Sequence, residues 1–108
     1  MPRLPALFPL AVLLFGMPPL DAAELAPGRA AELERLVLQD CGSCHGLTLK
    51  GGLGPDIRAP TLAGRSTEGL AAIVLHGVPG TPMPPWHPLL SEAEAQWIAE
   101  YLLNGGAP

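Results

Sequence analysis

The stretch Cys41-Gly42-Ser43-Cys44-His45 places two thiols and an imidazole close together in the chain. On a helix, Cys44 lies three residues and His45 four residues beyond Cys41, so the three side chains leave one face. Two cysteines followed directly by a histidine are the pattern for covalent attachment of a c-type haem. Each sulfur forms a thioether bond to the porphyrin, while the imidazole reaches the iron from the same side. The stretch therefore predicts one covalently bound haem c and, with it, redox or gas-binding chemistry.

Other uses of the cysteine pair explain less of the sequence. No βαβ pattern surrounds the pair, as a thioredoxin-type redox motif would require. Structural zinc usually takes four ligands, and His76 and His87 are not spaced as a second ligand pair. A plain structural disulfide would leave the adjacent His45 without a role. Haem attachment is the interpretation that uses both cysteines and the histidine.

The first 23 residues have the layout of a secretory signal peptide. Arg3 provides a short positive region, and an apolar run interrupted by prolines and Gly16 extends from Leu4 to Met17. The small residues Ala22 and Ala23 predict cleavage after one of them. A retained membrane anchor is the alternative, but the run is short and broken, so we expect no stable anchor. The signal predicts export to the periplasm.

The remaining chain, residues 24–108, is long enough for one small domain. A core of this size usually needs additional stabilisation from a cross-link or a bound cofactor, and a buried haem bonded at two cysteines and the iron would provide it. After cleavage behind Ala23, nine acidic and five basic residues remain. This balance argues against nucleic acid as a partner. It favours redox proteins with a positive docking patch, which would associate faster at low ionic strength.

Three main helices are predicted in this domain, and no strand pattern stands out, so the fold class is all-α. The helices extend from Pro27 to about Asp40, from Thr67 to about His76, and from Glu92 to Leu103. Ser66 is the predicted N-cap of the second helix, and residues 91–94 form a capping box for the third, which we expect to pack on the first. The apolar faces expected to be buried consist of Ala30, Leu33 and Val37, then Leu70, Ile73 and Val74, then Trp97, Ile98, Tyr101 and Leu102.

Two long connections, Gly46–Arg65 and Val78–Leu90, are rich in glycine and proline. Connections of this length are rarely idle in so small a domain. We expect a haem that lies between them to organise both.

The second connection contains PGTPMPPW, residues 79–86, with Met83 at its centre. A thioether is a soft ligand that favours ferrous iron, and the flanking prolines limit the backbone freedom of Met83. Met83 is also the only methionine left after signal cleavage, so we predict that it is the second axial ligand. His76 and His87 could compete for this position, although surface or helix-end roles are expected for both. Trp86 is a candidate for the rim that contacts partners, or for packing against the haem.

In this order of elements the chain resembles the class I cytochrome c family over essentially all of the mature sequence. The resemblance implies the small class I cytochrome c fold, with three main helices wrapped around one covalently bound haem. It also implies that the Pro55 carbonyl, in Gly54-Pro55, accepts a hydrogen bond from the second ring nitrogen of His45 and fixes its tautomer. Trp97 and Tyr101 match the aromatics with which the family packs its last helix on its first.

A closer resemblance is carried by three runs. They are LQDCGSCHGLTLKGGLGP, LHGVPGTPMPPW and LSEAEAQWIAEYLL. These runs are similar to the small monohaem cytochromes encoded in dissimilatory nitrite reductase gene clusters. The resemblance implies a place in denitrification, either as electron donor to the haem-c/haem-d nitrite reductase or as an accessory in making its haem d.

Taken together, the sequence predicts a periplasmic, monomeric one-electron carrier rather than an enzyme. With His45 and Met83 both bound, the iron would have no open position for a substrate. Nitrite reductase and an upstream electron donor are the expected partners, and a role in haem d maturation is the alternative. A ligand-binding or peroxidatic haem protein is a third hypothesis. It requires Met83 to dissociate readily, and no distal acid–base pair is recognisable in the sequence.

Overall fold

A computed structural model of the chain describes residues 1–12, 16 and 25–106. Over these ranges the chain forms α-helices and no β-strand, which confirms the all-α fold class. The helices are α1 (Arg29–Leu36), α2 (Gly42–His45), α3 (Ala59–Leu62), α4 (Thr67–His76) and α5 (Glu92–Leu103), and a π-helical turn (Val37–Cys41) joins α1 to α2.

The first helix begins later and ends further along than the sequence predicts. Gly28 precedes α1 in the left-handed region, with φ of 80°, so Pro27 lies outside the helix. At the other end the backbone stays helical through the π turn and α2 as far as His45. Of the predicted apolar stripe, Leu33 and Val37 are fully buried, whereas Ala30 in the first turn is exposed.

Helix α4 has the predicted bounds and caps. The Ser66 hydroxyl accepts a hydrogen bond from the amide of Gly69 at 3.0 Å, which satisfies one of the free donors at the helix start. Gly77 ends the helix with φ of 67°. Its buried face differs in detail from the prediction, because Ile73 and Val74 are only half-buried. The buried residues of α4 are Leu70, Ala71 and Leu75.

Helix α5 also matches its predicted bounds and begins with the expected capping box. The Ser91 hydroxyl accepts from the Glu94 amide at 3.2 Å, and the Glu94 carboxylate accepts from the Ser91 amide at 2.9 Å. The helix packs mainly against α4, with smaller contacts to α3 and α1, so the expected packing on the first helix is the lesser one. An ion pair between Arg29 and Glu94 joins the start of α1 to the start of α5.

One hydrophobic core holds these helices together, and two loop residues, Leu49 and Leu90, belong to it. Burial of this apolar surface is the main favourable term in the folding of a domain of this size. The buried members are Leu33, Val37, Leu49, Leu62, Leu70, Ala71, Leu75, Leu90, Ala95, Ile98, Ala99 and Leu102.

The N-terminal segment is separate from this core. Residues 1–12 have no regular secondary structure, and the large apolar side chains there, such as Leu4, Leu7 and Phe8, are exposed. The predicted cleavage point at Ala22 or Ala23 lies outside the described residues. Within the described ranges, no helix is both long enough and apolar enough to cross a membrane.

Candidate functional site

The two cysteines and His45 lie at the end of the helical segment that begins with α1. The backbone of both Cys41 and Gly42 is right-handed helical, so Cys44 and His45 follow Cys41 at the spacing that puts all three on one face. Both thiols are free and half-buried. Burial raises the pKa of the Cys41 thiol to about 11, with a smaller contribution from the charge of Asp40.

The imidazole of His45 is held by a hydrogen bond to the backbone. Its Nδ1 lies 2.6 Å from the carbonyl oxygen of Pro55. Because a carbonyl can only accept, Nδ1 must carry the proton and donate it. The lone pair of Nε2 is then left free, which is the tautomer that an axial ligand needs. The contact is the one that the family resemblance implies for Pro55.

The backbone of Gly54 lies directly against the same imidazole. A β-carbon on Gly54 would lie 2.7 Å from Cε1 and 2.8 Å from Nδ1 of His45, closer than real β-carbons approach other atoms. Only glycine leaves room for the ring at this position. Gly54 and Pro55 together therefore support one side of the imidazole and fix its proton.

The loop that supplies these two residues is tied to the end of α2 by its own backbone. The amide of Gly51 donates to the His45 carbonyl at 2.7 Å, and the amide of Gly54 donates to the Cys44 carbonyl at 2.8 Å. Helix ends leave four carbonyls without intrahelical partners, and the loop satisfies two of them here. Leu49 is fully buried although its φ is 60°, a conformation that few residues other than glycine adopt. Protein contacts of its own thus hold this loop in place, and a contribution from the haem stays a prediction.

The chain just after Pro55 is made rigid by an ion pair that sequence reasoning missed. The Asp56 carboxylate accepts from the backbone amide of Arg58 at 2.8 Å and from its guanidinium at 2.7 Å. The side-chain hydrogen bond from Arg58, followed by the backbone one, holds the pKa of Asp56 well below its usual range. An acidic residue two positions before a basic one was the only sequence signal. By itself this spacing does not indicate an ion pair.

The segment with Met83 is anchored to the end of α4. The Val78 amide donates to the Met83 carbonyl at 3.2 Å. The Thr81 hydroxyl donates to the Val78 carbonyl at 2.7 Å and accepts from the Met83 amide at 3.3 Å. Further along, the Trp86 amide donates to the Val74 carbonyl at 3.0 Å. The backbone of Met83 is therefore fixed by hydrogen bonds as well as by the neighbouring prolines.

Met83 itself is half-buried, and Trp86 is half-buried against the core cluster. The two competing ligands, His76 and His87, are both exposed. Axial ligation of iron by His45 and Met83 stays a prediction.

The residues around Cys41, Cys44 and His45 fit a c-type haem better than a structural metal. The thiols are not joined as a disulfide, and the imidazole presents its free nitrogen on the same helical face. Within the described part of the chain, no group of three or more His, Cys, Asp or Glu side chains is placed to hold a metal ion. A structural zinc site usually needs four such ligands.

Comparison with known proteins agrees with this geometry. Residues 28–102 match the protein family described as cytochrome C oxidase, cbb3-type, subunit III. The chain is 57% identical over 86 residues to cytochrome c55X of Paracoccus denitrificans (strain Pd 1222), an alignment that covers 80% of this chain and 79% of the relative.

Two solved structures are also similar. A c-type cytochrome NirC superimposes with a TM-score of 0.75 at 52% identity, covering 78% of this chain and all of that one. A structure described as dihydro-heme d1 dehydrogenase NirN in complex with DHE superimposes with a TM-score of 0.61 at 33% identity. That match covers 69% of this chain but only 16% of the dehydrogenase chain.

Proposed function

The chain belongs to the cytochrome c family, as a domain of the cbb3-type subunit III kind, and we propose that it is an exported one-electron carrier with His45 and Met83 as axial haem ligands. The observation that carries the proposal is the hydrogen bond from His45 Nδ1 to the Pro55 carbonyl at 2.6 Å. It leaves Nε2 free on the helical face that also holds both cysteines. An imidazole whose Nε2 lone pair is left free in this way is what an iron ligand requires.

Each residue of the site has a separate task in this proposal. Cys41 and Cys44 hold the porphyrin by thioether bonds, and His45 provides an oriented imidazole. Met83 provides a soft sulfur from an anchored loop, which favours the ferrous state and raises the reduction potential relative to two imidazoles. Bound at this site, the haem supplies one electron at a time by cycling between Fe(II) and Fe(III). With both axial positions taken by the protein, no substrate coordinates.

The proposed setting is the periplasm of a denitrifying cell, where the protein donates electrons to the haem-c/haem-d nitrite reductase. The signal-like residues 1–23 support export. The similarity to cytochrome c55X and to NirC supports the link with nitrite reductase gene clusters. The excess of acidic residues supports a partner with a positive docking surface.

A second candidate function is an accessory role in haem d maturation. It is favoured by one observation, the similarity of this chain to a part of the dihydro-heme d1 dehydrogenase NirN. A free carrier that resembles a domain of that enzyme would suit electron exchange in the same process. The redox centre required is the same as for a donor to nitrite reductase, so the two roles differ only in the partner.

The axial ligands are tested by absorption spectra of the oxidised holoprotein. We expect the weak charge-transfer band of methionine bound to Fe(III) in the wild type and its loss in Met83→Leu, which keeps an apolar side chain of similar volume but removes the sulfur. Val78→Leu, in the same loop, serves as the control and should keep the band. Persistence of the band in Met83→Leu, or its absence from the wild type, would refute the assignment.

The two partners are separated by two further measurements. If the protein is the donor, its reduced form should be oxidised quickly after it is mixed with mature nitrite reductase. In a deletion strain, nitrite reductase that still contains its full complement of haem d would rule out the maturation role. Slow oxidation together with haem-d-deficient enzyme would favour maturation instead.

A further inference from the structure

Two histidines that have no role in the haem site lie side by side on the surface. His76 is the last residue of α4, and His87 follows Trp86 in the connection to α5. Their ring centroids are 6.4 Å apart, with the ring planes tilted by 42°. Both side chains are exposed. Residues that lie 11 positions apart in the sequence are thus brought together by the fold.

The backbone under this pair is fixed by two parallel hydrogen bonds. The amide of His87 donates to the Leu75 carbonyl at 3.1 Å, and the amide of Trp86 donates to the Val74 carbonyl at 3.0 Å. These bonds attach the chain at His87 to the last turn of the helix that ends with His76. Pro88 further limits the backbone at His87. Only side-chain torsions remain free to adjust the distance between the rings.

The spacing suits two imidazoles that share one metal ion. A metal lies about 2.0–2.1 Å from a bound imidazole nitrogen, which puts the centroids of two rings at adjacent positions of a tetrahedral or square-planar ion roughly 4.5 to 6 Å apart. The observed 6.4 Å is just outside that range. Rotation of exposed side chains about their torsions closes such a gap at little cost.

The elements that contain the two histidines carry no positively charged side chain. No lysine or arginine follows Arg65 in the sequence, so α4, α5 and the connection between them contain neither. The formal charges on these elements are acidic, and they belong to Glu68, Glu92, Glu94 and Glu100.

We propose that His76 and His87 form a surface site for one divalent transition-metal ion. Imidazole nitrogen favours Cu²⁺, Ni²⁺ and Zn²⁺ over Mg²⁺ and Ca²⁺, and affinity rises along the series to Cu²⁺. Water completes the coordination, so the ion exchanges readily. Because protons compete for the same nitrogens, binding weakens as the pH falls. The site shares no residue with the haem site and does not rest on the proposed electron-carrier function.

The test is calorimetric titration of the mature holoprotein, in the oxidised state, with Ni²⁺, which undergoes no electron transfer with ferric haem. His76→Gln and His87→Gln keep a polar side chain of similar length without the imidazole, and Gln96→Ala on α5 is the control. We expect one Ni²⁺ per wild-type molecule and a loss of at least about tenfold in affinity in either single variant. The control should bind as the wild type does.

The double variant distinguishes a shared site from two separate ones. If both imidazoles bind the same ion, removal of the second costs little once the first is gone, and the double variant resembles the singles. Wild-type affinity for Ni²⁺ in either single variant would overturn the proposal. A loss of affinity in the double variant equal to the product of the two single losses would overturn it as well. As a second measurement, on the reduced protein, in which ferric iron adds no broadening of its own, paramagnetic Ni²⁺ should broaden the ring-proton NMR signals of His76 and His87 in the wild type and leave other surface signals sharp.

Discussion

The backbone of Gly54 lies against the imidazole of His45, so closely that a β-carbon on Gly54 would be 2.7 Å from Cε1 of the ring. The carbonyl of the next residue, Pro55, accepts a hydrogen bond from Nδ1 of the same ring, with 2.6 Å between the nitrogen and the oxygen. A single dipeptide therefore determines both the position of the imidazole and its tautomer. The amide of Gly54 is in turn bound to the Cys44 carbonyl, so the support and the motif move as one unit.

The first prediction concerns Gly54→Ala. The added methyl group would overlap the imidazole, so the ring or the loop must shift, and such overpacking typically costs about 1–3 kcal/mol of unfolding free energy. We expect a lower thermal midpoint and a changed absorption spectrum of the haem protein. Gly42→Ala is the matched control. A β-carbon at Gly42 would have ordinary contacts, 3.8 Å from the Leu47 Cα, in a helical backbone.

The same substitution at Gly42 should be neutral or stabilising, by up to about 1 kcal/mol from helix propensity. Equal effects at Gly54 and Gly42 would show that the contact with His45 is not what matters.

The second prediction concerns Thr81, whose hydroxyl links the Val78 carbonyl to the Met83 amide. Thr81→Val keeps the shape of the side chain and removes both hydrogen bonds, each of which contributes about 1 kcal/mol. If Met83 ligates the iron as proposed, it should then be displaced more easily. Added imidazole should bind the oxidised protein more tightly, measured by spectral titration. Thr81→Ser, which keeps the hydroxyl, should restore the wild-type titration.

The third prediction concerns Glu94, which completes the capping box of α5 and also pairs with Arg29. Hydrogen bonds from the Ser91 backbone, and next from Arg29, lower the pKa of Glu94 below 4.5. A carboxyl with a depressed folded pKa stabilises the fold above its unfolded pKa, and this stabilisation is lost as the pH falls through the folded value. Glu94→Ala should therefore lower the free energy of unfolding near neutral pH, by about 1 kcal/mol from the lost cap.

Glu92 provides the control, since it lies in the same first turn and has the same favourable position near the helix start. Thermal unfolding of Glu94→Ala and Glu92→Ala should differ at pH 7 and converge well below pH 4.5. A difference that is constant with pH would mean that the ionised carboxylate of Glu94 contributes nothing.

The fourth prediction concerns the net negative charge of the mature chain. After cleavage behind Ala23 it has nine acidic and five basic residues. Exposed charges are screened over about 10 Å at 0.1 M salt, so encounter rates with charged reagents depend on ionic strength. Oxidation of the reduced protein by a cationic cobalt complex should slow as salt rises, and oxidation by ferricyanide should accelerate. Stopped-flow absorbance measures both rates. Faster oxidation by the cobalt complex, or slower oxidation by ferricyanide, as salt rises would contradict the charge argument.

Local sequence signals predicted the parts of the fold that depend on neighbouring residues. The capping box at Ser91 and the glycine stop at Gly77 occur as expected because each is satisfied within one turn of helix. The motif from Cys41 to His45 is helical as well, beyond the predicted end of the first helix at about Asp40.

The parts that were missed depend on contacts between distant residues. Leu49 adopts a positive φ because its loop must reach the carbonyls at the end of α2, and no pattern in the sequence encodes that path. The short helix α3 follows from the turn that Asp56 and Arg58 stabilise. Packing of α5 chiefly on α4 likewise depends on the tertiary arrangement, which helical periodicity does not specify.

The π turn at Val37–Cys41 has a consequence for helical phase. An α-helix advances about 100° per residue, and a π turn contains one residue more than an α turn. The extra residue rotates everything after it by roughly that angle relative to α1. The buried side, with Leu33 of α1 and Val37 at the start of the π turn, and the face that presents Cys41, Cys44 and His45 therefore lie at different angles around one continuous helix axis. Deletion of a single residue within the turn would leave both faces intact and misalign them with respect to each other.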